Sequence, residues 1–191
     1  MKDNCVTDFL STISTMNKHT ANEYGKRLNS FRKFVLVHYD KHITIDNLIA
    51  KIKEGSENPY SVLNNYAVYL LRGNNVSNLT LKQRIVTAKN FFEYYDVDIS
   101  PRKFKMKVKL PKVVRKKKQA LSKEDISDIL NTCSDIRLKT YVMLLAASGM
   151  RAVEALSIRI KDLDLQSGHS KLFVRGEFTK TRSDRTIFLT P

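Results

Sequence analysis

The chain has 191 residues, 42% hydrophobic and 28% charged, with four prolines and six glycines. That balance fits one large or two small globular domains and excludes a disordered or collagen-like chain. Lys and Arg outnumber Asp and Glu by 34 to 19, a net +15, which points to a polyanionic partner. Nucleic acid ranks ahead of a membrane surface, because no stretch is basic on one face and broadly apolar on the other.

In chain order, a short helix is expected over Val6 to Ser14. A longer one starts near Thr20, whose hydroxyl is placed to cap the first free amides. Its apolar positions Tyr24, Leu28, Phe31, Phe34 and Val35 recur at helical spacing, so one face is buried. Leu48, Ile49 and Ile52 mark a third helix, stopped near Gly55. A fourth covers Tyr60 to Leu71, beginning beside Pro59 and ending at Gly73. A fifth runs from about Thr80 to Tyr95, with Leu81, Ile85, Ala88, Phe91 and Phe92 inward.

A charge run follows. Ten basic residues and no acid lie between Arg102 and Lys118. Pro101 and Pro111 punctuate the stretch and keep it from being one long helix, so it reads as an extended basic interdomain linker. Beyond it, Ser122 caps a helix with Glu124 and Asp125 in its first turn and Ile126, Ile129 and Leu130 as its buried face. Leu138, Tyr141, Val142 and Leu145 describe another helix, closed by Gly149. A brief helix passes through Leu156, which points into the core. Alternation then takes over, with Leu172–Val174 and Thr186–Leu189 as strands around a turn at Arg182–Asp184. The expected fold is mainly α with a small β-hairpin, divided as a helical domain over 1–98, the linker over 99–119 and a second domain over 120–191.

No apolar run reaches the length that spans a bilayer, and the first residues lack the basic-then-apolar order of a signal peptide. Cys5 and Cys133 are distant in sequence and have no CxxC or His partner spacing, so they read as reduced thiols in a cytoplasmic protein. No metal site and no cofactor is expected.

The most informative segment is Ala147-Ser-Gly-Met-Arg-Ala-Val-Glu-Ala-Leu156. Arg151 opens a helix just after a glycine stop, and Glu154 lies one turn along. An Arg at a helix start offers a forked donor matched to phosphate oxygens. The plain alternative is a surface Arg paired with Glu154 across one turn, which is worth only a few tenths of a kcal/mol. Taken alone, the segment supports the plain pair at least as well.

It does not stand alone. Ser148-Gly-Met-Arg-Ala-Val-Glu-Ala-Leu156 resembles the first catalytic box of tyrosine recombinases, the phage-type integrase family. The continuation Asp162-Leu-Asp164 is similar to the family's D-I/L-D. Phe178-Thr-Lys-Thr181 through Arg185-Thr-Ile-Phe-Leu-Thr-Pro191 resembles its strand-turn-strand unit with a catalytic lysine, closest in wording to Xer-like and archaeal integrases. Thr20-x-x-x-Tyr24-x-x-x-Leu28-x-x-Phe31 resembles the family's N-terminal core-binding domain, a SAM-like helical bundle. The resemblance covers nearly the whole chain and implies that 120–191 is the first part of an α+β catalytic domain.

The resemblance implies metal-free attack of a tyrosine on a DNA phosphodiester, giving a 3′-phosphotyrosyl link and a free 5′-hydroxyl. Arg151 would stabilise charge on the phosphorane oxygens, Lys180 would protonate the leaving oxygen and Glu154 would orient its neighbours. For Lys180 the plain alternative is a solvated hairpin lysine. Arg185 would support the hairpin or touch backbone phosphate. The DNA-binding candidates are Thr20 and Lys82 in the bundle, Arg185, and the run Arg102, Lys103, Lys105, Lys107, Lys109, Lys112, Arg115, Lys116, Lys117 and Lys118. A solvated tether is the alternative for that run.

The family's pattern then breaks. Its His-x-x-Arg and nucleophilic tyrosine belong after the strand-turn-strand unit, whereas every tyrosine from Tyr24 to Tyr141 precedes Arg151. His169 precedes Lys180 and has no Arg three residues on, so it reads as an exposed turn histidine. His19, His38 and His42 lie in the helical domain.

The expectation is therefore a truncated recombinase that binds double-stranded DNA in the nucleoid and does not cleave it alone. It could be a fragment, the product of a split gene or a natural short form. Full-length recombinase subunits, or its own missing C-terminal part, are the expected protein partners. Tyr141, Val142 and Leu145 are then incompletely covered. The alternative is a non-enzymatic DNA-binding regulator that blocks full-length subunits. A general RNA binder ranks below both, because RNP-type aromatics and a KH-type GxxG are missing.

Overall fold

The computed structural model describes residues 4–39, 43–73, 76–114, 117, 119–166 and 170–189. Two compact units emerge, Met1–Arg115 and Lys116–Pro191.

The first unit is helical: α1 (Asn4–Met16), α2 (Lys18–His38), α3 (Ile45–Lys53), α4 (Pro59–Arg72), α5 (Asn78–Tyr94) and α6 (Pro101–Lys107). Side-chain caps set most of the helix starts. Asn17 accepts the Thr20 amide at 3.1 Å, so α2 begins two residues before Thr20, and Thr20 is not its cap. Asn58 caps α4 with Pro59 at the first position, where a missing N–H costs nothing. Gly55 follows α3 with φ +79°, a left-handed turn that glycine makes without strain. Gly73 caps α4 at φ −72° and needs no such freedom.

The core of this unit is aromatic. Phe31 meets Tyr66 edge-on at 5.0 Å and Phe92 at 5.7 Å. Leu28, Phe34, Leu48, Leu63, Leu81, Ile85 and Phe91 are fully buried around them. Each such side chain contributes about 1.5–3 kcal/mol by leaving water, so this unit carries most of the chain's hydrophobic stabilisation.

The extended linker expected over 99–119 is not extended over its first half. Residues 101–107 form α6, which packs on α4. Ile99 and Val108 are buried, Phe104 is half-buried, and the Tyr60 hydroxyl accepts the Ser100 amide at 2.9 Å. Pro101 is the first residue of the helix rather than a break in it. Phe104 and Val108, four residues apart, give a basic segment one apolar edge.

The second unit holds α7 (Lys123–Thr132), α8 (Ile136–Ser148), α9 (Ala152–Leu156), β1 (Leu163–Asp164), β2 (Lys171–Val174) and β3 (Arg185–Phe188). The strands make an antiparallel sheet in the order β1-β2-β3, with Leu172 opposite Leu163 and Ile187. The two-residue β1 is too short to show alternation in the sequence. Ser122 and Asp125 form a reciprocal capping box at the start of α7.

This core is small: Met150, Ala155, Leu172 and Val174, with half-buried Tyr141, Leu144, Leu145 and Ile187 against them. The expected buried face of α7 is not buried, since Ile126 and Leu130 are half-buried and Ile129 is 41% exposed. Tyr141, Val142 and Leu145 on α8 are half-buried. Leu156, expected in the core, is 74% exposed. Glu154 and Ala155 take the inward face of α9 instead. Among the described residues no helix is long and apolar enough to cross a membrane, and no cluster of three or more His, Cys, Asp or Glu is placed to hold a metal.

Candidate active site

Helix α8 ends at Gly149, whose φ of +62° turns the chain sharply while its amide donates to the Leu145 carbonyl at 3.0 Å. Two residues later Arg151 is extended, at φ −75° and ψ 152°, and opens α9. Glu154 sits one turn along and is fully buried.

Three N–H donors converge on that carboxylate. Its Oε2 accepts the Arg151 amide at 2.8 Å and Arg185 Nη2 at 2.8 Å, and its Oε1 accepts Arg151 Nη1 at 3.0 Å. Burial pushes the Glu154 carboxyl up. The hydrogen bonds from Arg151 and the charges of Arg185 and Arg151 outweigh this and hold it below the ordinary 4.5. The carboxylate is therefore ionised at neutral pH. The two guanidiniums stay open to solvent, at 56% exposure for Arg151 and 39% for Arg185. Two cations share one buried anion, so the cluster keeps a net positive charge facing outward.

Arg185 was expected to serve the hairpin or a phosphate; its partnership with Glu154 brings it to Arg151 across 34 positions of sequence. Lys180 is exposed in the connection between β2 and β3 and has no hydrogen bond or ion pair among the described residues. The connection itself is tightly held. A turn of 3-10 helix spans Gly176–Phe178, and the buried Thr179 hydroxyl donates to the Gly176 carbonyl at 2.9 Å and accepts the Ser183 amide at 3.1 Å. Asp184 Oδ1 accepts the Gly176 amide, and a Cβ on Gly176 would stand 2.9 Å from the Arg182 carbonyl oxygen.

A neighbouring network escaped the sequence reading. The Arg175 guanidinium, 17% exposed, reaches Asp162 at 3.4 Å, Glu177 at 2.7 Å and the Ser157 carbonyl at 2.6 Å. Asp162 also accepts the Arg159 amide at 2.9 Å, so it ties the end of α9 to the segment that leads to Lys180. The Asp162-Leu-Asp164 motif was visible, but its arginine partner carried no signal.

The remaining candidates lie in the first unit. Thr20 is half-buried in the first turn of α2, and Lys82 is exposed on α5. Arg102, Lys103, Lys105 and Lys107 are exposed on α6, with the Lys107 ammonium 5.4 Å from the centre of the Tyr60 ring. Lys109 and Lys112 are exposed but anchored by backbone, the Lys109 amide to Asn64 at 3.2 Å and the Lys112 carbonyl to Asn78 at 3.0 Å. Lys117 is exposed, while Arg115, Lys116, Lys118, His42 and His169 lie outside the described residues. His19 and His38 are exposed on α2.

Residues 119–190 match the model of the Phage integrase family. The tyrosine recombinase XerA of Saccharolobus solfataricus is 31% identical over 112 residues, covering 59% of this chain and 35% of that protein. The tyrosine recombinase XerD of Oceanobacillus iheyensis is 24% identical over 173 residues, covering 88% of this chain and 54% of that protein. The chain thus spans between a third and about half of the length of these relatives. A crystal structure of the XerH site-specific recombinase in a post-cleavage complex with its palindromic difH substrate has a similar fold. It aligns over 97% of this chain and 52% of its own, at 16% identity and a TM-score of 0.58. The box at Arg151 thus lies in a stretch, residues 119–190, that is similar to the Phage integrase family, and the chain is similar to tyrosine recombinases.

Proposed function

We propose that this chain is the front portion of a site-specific DNA recombinase, which grips duplex DNA and carries part of a metal-free transesterification site. The observation that carries the reading is the buried Glu154 carboxylate holding two half-exposed guanidiniums, Arg151 and Arg185. Such a pair is fixed before the reaction and faces outward with net positive charge, as stabilisation of a phosphorane oxygen requires. Lys180, exposed on a pinned loop, is suited to donate a proton to the departing 5′-oxygen. The first unit and the basic stretch through α6 act as the core-binding clamp, with backbone contacts carrying affinity rather than base identity.

No tyrosine follows Arg151 in these 191 residues. The nucleophile, in this reading, comes from outside them, and the chain by itself binds without cutting. A nicked suicide duplex tests the first point: no covalent adduct is expected, and an adduct would mean that the nucleophile is among the tyrosines before Arg151. Binding should weaken about a thousandfold between about 50 and 200 mM salt if about six phosphate contacts form. A salt-insensitive curve would remove the clamp. Joined to a segment that supplies the tyrosine, the chain should cleave duplex DNA, and no cleavage would count against the active-site reading.

A further inference from the structure

Both ends of the connection that carries Lys180 are tied to α9. At the β3 end, Arg185 Nη2 reaches the Glu154 carboxylate at 2.8 Å. At the β2 end, Arg175 Nη2 donates to the Ser157 carbonyl at 2.6 Å. Ser157 in turn donates its amide and its hydroxyl to the Glu154 carbonyl, at 3.2 and 2.7 Å. The two ends also hold each other, because Val174 pairs with Arg185 in the sheet and Asp184 accepts the Gly176 amide. A closed circuit therefore runs from Glu154 through Ser157, Arg175, Gly176, Asp184 and Arg185 back to Glu154.

Arg175 is placed to hold rather than to bind. Its Nε faces the buried Asp162 at 3.4 Å, its Nη1 donates to Glu177 at 2.7 Å and its Nη2 is taken by Ser157. The guanidinium also lies 4.8 Å from the centre of the Phe178 ring. Its side chain is 17% exposed, against 56% for Arg151, so little of it is open to a phosphate. A segment tied at one end pivots there, whereas ties at both ends fix where its middle stands.

We propose that Arg175 is a positioning residue that sets where the Lys180 ammonium stands relative to Arg151, a role that rests on the function proposed above. In that reaction the P–O5′ bond breaks as the tyrosine oxygen bonds phosphorus, and Lys180 gives its proton to the departing oxygen. Losing Arg175 leaves the connection tied to α9 through Arg185 alone, and the donor drifts from the leaving oxygen. A misplacement of about 1 Å costs about a hundredfold in rate.

The test uses the chain joined to a segment that supplies the tyrosine, on duplexes with either oxygen or sulfur at the bridging 5′ position. A thiol ionises near 8.5, so a 5′-thiolate leaves without a proton when the P–S bond breaks. Arg175→Gln should slow cleavage of the oxygen duplex by about a hundredfold and of the sulfur duplex by less than about threefold. Duplex affinity should stay within about twofold of wild type, and little further loss should appear on a Lys180→Ala background. Glu154→Gln, which acts on Arg151 instead, should slow both duplexes.

Equal slowing of the two duplexes by Arg175→Gln, or no slowing, would overturn the role. A wild-type joined protein that cleaves neither duplex would sink the function proposed above. NMR relaxation dispersion on the 191-residue chain then decides whether Arg175 holds the connection. Arg175→Gln should bring microsecond-to-millisecond exchange to residues 177–183 while the β2–β3 ladder stays quiet, and a silent connection would overturn the tie as well. Should the single variant unfold by stranding the Asp162 charge, Arg175→Gln with Asp162→Asn repeats both measurements.

Discussion

Replacing Glu154 by Gln asks whether one carboxylate organises the candidate site. The group is fully buried and receives three N–H donors at 2.8 to 3.0 Å, two of them from guanidiniums. Gln keeps the volume and one acceptor oxygen. At least one charge-assisted bond is lost, and an amide NH₂ is turned toward an N–H. A hydrogen bond to a charged group contributes about 1.5–3 kcal/mol, and breaking a fully buried ion pair costs about 3–5 kcal/mol. Arg151 and Arg185 are 56% and 39% exposed, so water recovers their charges and the lower range applies. A loss of about 2 kcal/mol lowers Tm by about 8–16 °C for a unit of this size. Tyr141 is the single tyrosine after Tyr95, so its resolved amide signal in NMR spectra recorded against temperature follows the second unit alone. A Tm shift under about 2 °C would refute the claim that Glu154 holds the cluster together.

The same group sets a pH dependence. Its folded-state pKa lies below the ordinary 4.5, so its stabilisation is complete above that value and is lost as pH falls through the lower, folded-state one. The Tyr141 melting temperature should fall with acid in that window, and Glu154→Gln should flatten part of the slope; parallel slopes would contradict the assignment. Gly149→Ala places a Cβ at φ +62° with nothing within 4 Å to clash, so the cost is backbone strain, about 1–2 kcal/mol by urea midpoint. Gly149→Asn should recover much of it, and an Ala variant as stable as wild type would argue against the left-handed turn. Thr179→Val removes the hydroxyl that joins Gly176 to Ser183, at about 1–3 kcal/mol. Amide exchange at Ser183 should speed up, and unchanged exchange would show that other bonds hold the Lys180 loop.

What the sequence makes legible follows from local rules. The helices of the first unit stand where apolar spacing places them, because one buried face repeats every three or four residues over long stretches. Gly149 is readable as a helix stop, and Ser122 as a cap, since each acts on neighbours in the chain. The failures are non-local or concern composition. Counting cations between Arg102 and Lys118 hides Phe104 and Val108, whose burial against α4 turns part of a supposed tether into a helix. On α9, apolar character alone places Leu156 inward, but the inward positions belong to Glu154 and Ala155 because Arg185 returns on β3 to meet the carboxylate. A contact across 31 residues has no local signature.

That long-range contact also bears on how the site would work. Of the five N–H donors on a guanidinium, Arg151 gives one to Glu154 and Arg185 gives one. The side chains remain 56% and 39% exposed. Under the proposed function, the carboxylate holds both guanidiniums while their remaining donors meet an incoming phosphate. This lowers the reorganisation required when charge develops on its oxygens. Lysine at position 151 would keep the charge but lose the fork, and could not bond Glu154 and two phosphate oxygens in one fixed plane. Under the proposed function, Arg151→Lys in a cleavage-competent full-length protein should leave DNA affinity within about threefold while lowering the cleavage rate by about a hundredfold or more. An equal loss in affinity and rate would instead make Arg151 a ground-state grip on DNA.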